Sequence, residues 1–157
     1  MAHLHELIDF TVAAYLVHKS KVLFVHHKAL QKWLPLGGHI ELDEDPEQAL
    51  FRELEEESGL DKQELFVMSD KPDYKSDEQR FLYTPNQLDI HKINETHWHI
   101  GMIYFIKALS DKVHLQKDEH NEIKWLSWKE LHNPEYKLRT DLIYSAERAL
   151  SLEKEYK

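Results

Sequence analysis

Gly37-Gly-His-Ile-Glu41, Leu42-Asp-Glu-Asp-Pro-Glu-Gln-Ala-Leu-Phe51 and Arg52-Glu-Leu-Glu-Glu-Glu-Ser-Gly-Leu60 follow one another without a break. The stretch reads as a glycine loop feeding a helix. Asp45 has the side chain of a good N-cap, Pro46 suits the first helical position, and Gln48 at N3 completes a capping-box variant. Gly59 stands where a left-handed residue closes a helix. The punctuation therefore predicts a helix over Pro46–Ser58. The chain has 4 glycines, and Gly37, Gly38 and Gly59 all bracket this helix. In so glycine-poor a sequence that placement points to unusual dihedrals or close backbone approach.

The helix crowds Glu53, Glu55, Glu56 and Glu57 into five consecutive positions. Like charges three and four apart destabilise a helix by roughly 0.2–0.5 kcal/mol per pair. At about 100° per residue, Glu53, Glu56 and Glu57 fall within one arc, with the small Ala49 beside them. Leu50, Phe51 and Leu54 form an adjoining stripe suited to packing on a sheet, and Glu55 points elsewhere. Three convergent carboxylates suit a hard divalent cation such as Mg²⁺ or Mn²⁺. The chain has no cysteine, and no histidine between His39 and His91, so zinc fits this face less well. Arg52 neighbours the arc and can hold Glu53 or Glu56 through charge-assisted hydrogen bonds. The plainer reading of a glutamate run is a solvated acidic face.

Outward from the helix, the chain reads as one α+β domain over residues 1–157. Ile8–Val17 and Lys21–His27 are β-rich runs that suggest a hairpin or a close antiparallel pair. Strand candidates follow at Glu64–Met68, Arg80–Tyr83, Gln87–Ile93, a long and nearly apolar His97–Leu109, and Glu122–Leu126. Ser69–Gln79 and Ser110–Asn121 read as polar connections, and Trp128–Leu131 as a helical turn. Leu138, Leu142, Ile143, Ala146, Ala149 and Leu150 recur at helical spacing, giving a C-terminal amphipathic helix to about residue 154. A net charge of −9 argues against a nucleic-acid polymer as partner, since that needs a basic footprint. With no cysteine, the cytoplasm is the expected compartment. Phe10–Val17 is too short to span a membrane and lacks a basic flank, so it reads as a buried strand.

Gly38, Glu44, Arg52, Glu53, Leu54, Glu56, Glu57, Gly59 and Leu60 match the Nudix box, Gly-x5-Glu-x7-Arg-Glu-(aliphatic)-x-Glu-Glu-x-Gly-(aliphatic), at every specified position. The chain thus resembles the Nudix hydrolase family over about residues 10–132, although only the box is highly specific. The resemblance implies an α/β/α sandwich, with a mixed sheet between helices. It implies Mg²⁺ or Mn²⁺ held by Glu53, Glu56, Glu57 and the Gly37 carbonyl. Arg52, Glu53 and Glu57 would carry catalysis, either glutamate being able to take a proton from the attacking water. Glu44 would have a structural role near the helix start. A further carboxylate is expected from the connection after the long strand, with Glu119 and Glu122 as candidates.

The implied substrate is a small nucleotide or nucleoside diphosphate derivative, and the implied reaction is hydrolysis of its diphosphate linkage. The resemblance also allows a homodimer. A nucleotide-sensing domain without turnover is the alternative, although that version often loses box glutamates and none is lost here. An isopentenyl diphosphate isomerase of the same fold uses a cysteine, which this chain lacks. His26, His27 and Lys28 occupy a position where family members often contact phosphate. Trp33 suits either stacking on a base or a place in the core. His97 and His99 alternate onto one strand face, with Trp98 on the other. Together with His91 they read as a hydrogen-bonded structural cluster, a polar wall of the substrate pocket, or a three-histidine metal site.

Overall fold

The protein is described by a computed structural model over residues 5–156. Among these residues the chain forms, in order, β1 (Ile8–His18), β2 (Lys21–His27), β3 (Lys32–Leu34), β4 (Leu36–His39), α1 (Pro46–Ser58), β5 (Leu65–Val67), β6 (Gln87–Lys92), β7 (Trp98–Ala108), β8 (His120–Ser127), α2 (Trp128–Leu131) and α3 (Thr140–Glu153). All eight strands belong to one mixed sheet. Its spine is the parallel pair β1–β7, in register from Ile8↔Trp98 to Val17↔Lys107. The other pairings are antiparallel. β1 and β2 pair only at Val17↔Val22 and His18↔Lys21. Further along β1, β4 pairs with Thr11–Ala14, which brings the glycine loop onto the sheet.

Alternation along the strands divides the core in two. Val12, Ala14, Leu16 and Leu36 pack with Ala49, Leu50 and Leu54 of α1. Tyr15, Val17, Phe24 and Phe105 pack with Leu142, Ala146, Ala149 and Leu150 of α3. One helix thus covers each face, which is the α/β/α sandwich. Among the described residues no helix is long and apolar enough to cross a membrane.

α1 has the predicted bounds and caps. The Asp45 carboxylate accepts from the Glu47 and Gln48 amides at 2.8 and 2.9 Å, and the Asp45 amide donates to Gln48 Oε1 at 2.9 Å. Gly59 closes the helix at φ 71°. Four other elements differ from the sequence reading. Arg80–Tyr83 is not a strand; the only ladder contact there is a bridge between Lys75 and Arg80. This segment is tied instead to the start of α1, where Arg80 pairs with Asp45 and the Tyr83 amide donates to Glu47 Oε2 at 3.4 Å. β5 is shorter than expected because Asp61 caps a 3₁₀ turn over Lys62–Glu64. β8 begins at His120, two residues early, and α3 begins at Thr140, two residues late.

β4 can lie flat on β1 only because Gly37 has no side chain. Its φ is 147°, and a Cβ there would lie 2.1 Å from the Val12 carbonyl oxygen. The obstacle is backbone, so it cannot swing aside. Gly37→Ala is expected to lower stability by about 2 kcal/mol or more, measured as a shift in the urea midpoint.

Candidate active site

The site is assembled where α1 meets β4. Gly38 faces α1, and a Cβ there would lie 2.1 Å from Glu53 Oε1. The bare backbone is therefore what admits the carboxylate. One position earlier, the Gly37 amide donates to Glu57 Oε2 at 2.8 Å. Glu53 and Glu57 are both buried, at 8% and 6% exposure, whereas Glu55 and Glu56 are exposed. Glu55, which the phase argument sets apart, is solvent-exposed. Within the expected arc, burial divides two inward carboxylates from one rim carboxylate.

Arg52 organises the acidic groups. Its Nη1 donates to Glu53 Oε1 at 2.9 Å and to Glu56 Oε2 at 3.3 Å. Its Nη2 donates to Glu44 Oε2 at 2.9 Å and to the His39 carbonyl at 3.1 Å, while Nε also faces Glu44. The Arg52 hydrogen bonds hold the Glu44 carboxyl below the usual carboxylate range. Glu53 behaves oppositely. Burial, reinforced by the charge of Glu57, pushes its carboxyl up to about 7 despite Arg52. Two neighbouring carboxylates in a dry place resist being charged together, which leaves an electrostatic demand for positive charge.

β8 contributes a residue that the sequence reading missed. His120 is buried at 2% exposure, and its Nε2 lies 3.3 Å from Glu57 Oε1. Ligand atoms of Glu57, Glu119 and His120 all lie within 4.8 Å of one another. Of the two carboxylates proposed from this connection, Glu119 therefore meets the box, whereas Glu122 is exposed and pairs with Lys124 at 3.0 Å. The sequence pattern predicts a strand only from Glu122, which puts His120 in the preceding loop, whereas the strand begins at His120. An alternating His120, Glu122, Lys124 pattern was the available signal.

The other candidates lie on two flanks. The Lys28 amide donates to the Glu119 carbonyl at 2.9 Å, and the Lys28 ammonium donates to the Lys117 carbonyl. His27 packs edge-on to His120 at 5.7 Å, and burial together with that neighbour lowers its pKa, which makes it a poor cation. His26 contacts Trp33 at 5.3 Å between ring centroids. Trp33 takes the core position of the two foreseen, at 9% exposure, with Tyr136 edge-on and Lys124 over its ring.

His97 and His99 lie on the face of the sheet opposite α1. His97 Nε2 is 3.1 Å from Asp9 Oδ2. His99 packs against His39, His91 and His97 at 4.8, 5.5 and 5.2 Å. Burial and those neighbouring rings push the His99 pKa down to about 4. The three-histidine arrangement of His91, His97 and His99 does not form a common ligand group among the described residues. The group that forms is Asp9, His39 and His99. His91 is drawn instead to Asp89, at 3.2 Å.

The NUDIX domain model matches residues 9–146. A NUDIX-family hydrolase from Clostridium perfringens is 31% identical, covers 95% of this chain and 99% of its own, and superposes with a TM-score of 0.78. The chain belongs to the Nudix family. It is an enzyme of the Nudix hydrolase type, with the complete box running from Gly38 of β4 through α1 to Leu60. More distant structures share the fold. A Caenorhabditis elegans Ap4A hydrolase is 16% identical, with a TM-score of 0.64 and coverage of 96% of each chain. The NUDIX domain of Shewanella oneidensis NrtR, solved with ADP ribose, is 17% identical, with a TM-score of 0.62 and coverage of 94% of this chain and 88% of that one. No curated protein matches the chain in sequence.

The contact at Gly38 gives the Nudix site a direct test. A Cβ there meets the far end of a side chain, so Glu53 would move and the fold would persist. Gly38→Ala is expected to keep the native circular dichroism spectrum while lowering turnover at least about tenfold, since a displacement of about 1 Å can cost 10²-fold.

Proposed function

We propose that the protein hydrolyses a diphosphate linkage in a nucleoside diphosphate derivative, with Mg²⁺ or Mn²⁺ as cofactor. The observation that carries this reading is the pair of buried carboxylates, Glu53 and Glu57, set against the glycine backbone of β4. Their oxygen donors, with Glu56 at the rim and Glu119 beside Glu57, fit a hard divalent ion. Glu53, Glu56, Glu57 and the Gly37 carbonyl would hold the metal, and Glu119 is the additional carboxylate best placed to join them. Glu122, with its lysine partner, would have to turn away from Lys124 to reach it. When bound, the ion offsets phosphate charge, polarises a phosphoryl oxygen and lowers the pKa of a water.

The chain's own groups supply orientation and proton transfer. Arg52 restrains Glu53 and Glu56 and anchors them to Glu44 and the β4 backbone. Either Glu53 or Glu57 accepts the proton of the attacking water. His120 positions Glu57 from the side opposite the Gly37 amide. Substrate approaches along the β2–β8 edge, where Lys28 and His27 lie beside Glu119 and His120. His26, Tyr136 and the exposed Lys124, which cover the buried Trp33, offer an aromatic and basic wall for a nucleobase. His97 and His99, on the opposite face of the sheet, stand apart from this pocket. The Ap4A hydrolase and the ADP-ribose-bound domain support nucleotide chemistry without selecting one substrate.

The test is turnover with Mg²⁺ and Mn²⁺ across nucleoside triphosphates, ADP-ribose, NADH and dinucleoside polyphosphates, with products identified. Glu53→Gln and Glu57→Gln are expected to lower kcat at least about 10²-fold, and EDTA to abolish turnover. Full turnover in EDTA would overturn the metal mechanism. Tight binding of one nucleotide without turnover of any compound would establish the sensing alternative instead.

A further inference from the structure

The face of the sheet opposite α1 carries a second collection of ligating groups that the reaction above does not require. It draws on three adjacent strands: Asp9 from β1, His39 from β4 and His99 from β7. Register places them together, because Thr11 lies opposite both His39 and Gly101, and Asp9 lies opposite His99. Asp9 is fully buried and His39 is 6% exposed. One ligand atom of each of the three residues lies within 4.8 Å of the others. Asp9 Oδ2 is 3.2 Å from His39 Nε2.

We propose that Asp9, His39 and His99 form a second divalent-metal site, one that takes zinc or a similar late first-row ion. Two imidazoles and a carboxylate are a common donor set for such ions and a poor one for Mg²⁺, which prefers oxygen. The surrounding groups resemble those that orient metal ligands. The His5 amide donates to Asp9 Oδ1 at 2.7 Å, fixing the carboxylate. His97 spans from Asp9 Oδ2 to the Glu6 carbonyl, at 3.1 and 3.0 Å, and so braces the same group from a second direction.

The site is distinct from the glutamate site although the two lie back to back. β4 separates them: Gly38 turns to Glu53 on one face, and His39 turns to Asp9 on the other. An ion at the histidines would pin β4 to both β1 and β7, bracing the strand against which the catalytic carboxylates sit.

The experiment is zinc binding to metal-stripped full-length protein, read by calorimetry and by metal analysis after gel filtration. Glu53→Gln/Glu57→Gln removes the acidic site, and this variant is expected to retain one zinc per chain. Adding His39→Ala or His99→Ala is expected to weaken binding at least about a hundredfold, and His97→Gln about 10–100-fold. Should the alanine variants not fold, anomalous diffraction at the zinc edge from zinc-soaked crystals of the unaltered protein decides. A peak between Asp9, His39 and His99 supports the site. Zinc lost with the glutamates, undiminished binding in folded His99→Ala, or a peak only at Glu57, Glu119 and His120 overturns it and leaves a hydrogen-bonded cluster. Because the readout is zinc and not turnover, failure here would leave the hydrolase reading untouched.

Discussion

One guanidinium holds the acidic end of this protein together. Arg52 faces Glu44, Glu53, Glu56 and the His39 carbonyl, and so joins the start of α1, its acidic face and β4 in a single network. Hydrogen bonding to Glu44 and Glu53 keeps Arg52 firmly charged. Yet Glu44 meets two of its donors while Glu53 and Glu56 share one. The charge thus goes mostly to the carboxylate that sets the loop, leaving Glu53, buried beside the charge of Glu57, undercompensated. That imbalance has a physical consequence. A structure needing only stability would replace one of these acids, whereas a structure that receives a cation in use can leave the deficit open.

The second constraint is steric. Carboxylates on a helix reach a sheet's backbone only where the strand has no side chain to keep them away. Gly37 and Gly38 do different jobs here. Gly37 relieves a backbone-to-backbone contact between β4 and β1, and Gly38 relieves a backbone-to-carboxylate contact between β4 and α1. The first permits the fold and the second permits the site. Both fall within two residues, which explains how one short motif can govern architecture and chemistry together.

What could be read in the sequence follows from how local the physics is. The bounds of α1, the inward turn of Glu53 and Glu57 and the pairing of Arg52 depend on residues within one continuous stretch from Gly37 to Gly59, and all are legible there. Arg80–Tyr83 was misread because its composition suits a strand, but no neighbouring strand claims it. Its polar groups go instead to Asp45 and Glu47, more than thirty positions away. His120 and Asp9 were missed for a related reason. Each acquires its meaning only when the β2–β8 and β1–β7 registers bring it to a distant partner, and register between strands far apart in sequence has no local signature.

This difference also explains why the two sides of β4 were unequally readable. The glutamate side is written on one helix, so periodicity exposes it. The histidine side is written across β1, β4 and β7, one residue per strand, and periodicity exposes only His97 and His99. Yet the two sides are mechanically one unit, because neighbouring residues of the same strand serve both. Any force that shifts His39 acts on the strand that carries Gly38, the residue that Glu53 faces. The His39 carbonyl closes this linkage by accepting from Arg52. Chemistry on the acidic face and order on the histidine face therefore depend on the same four-residue strand.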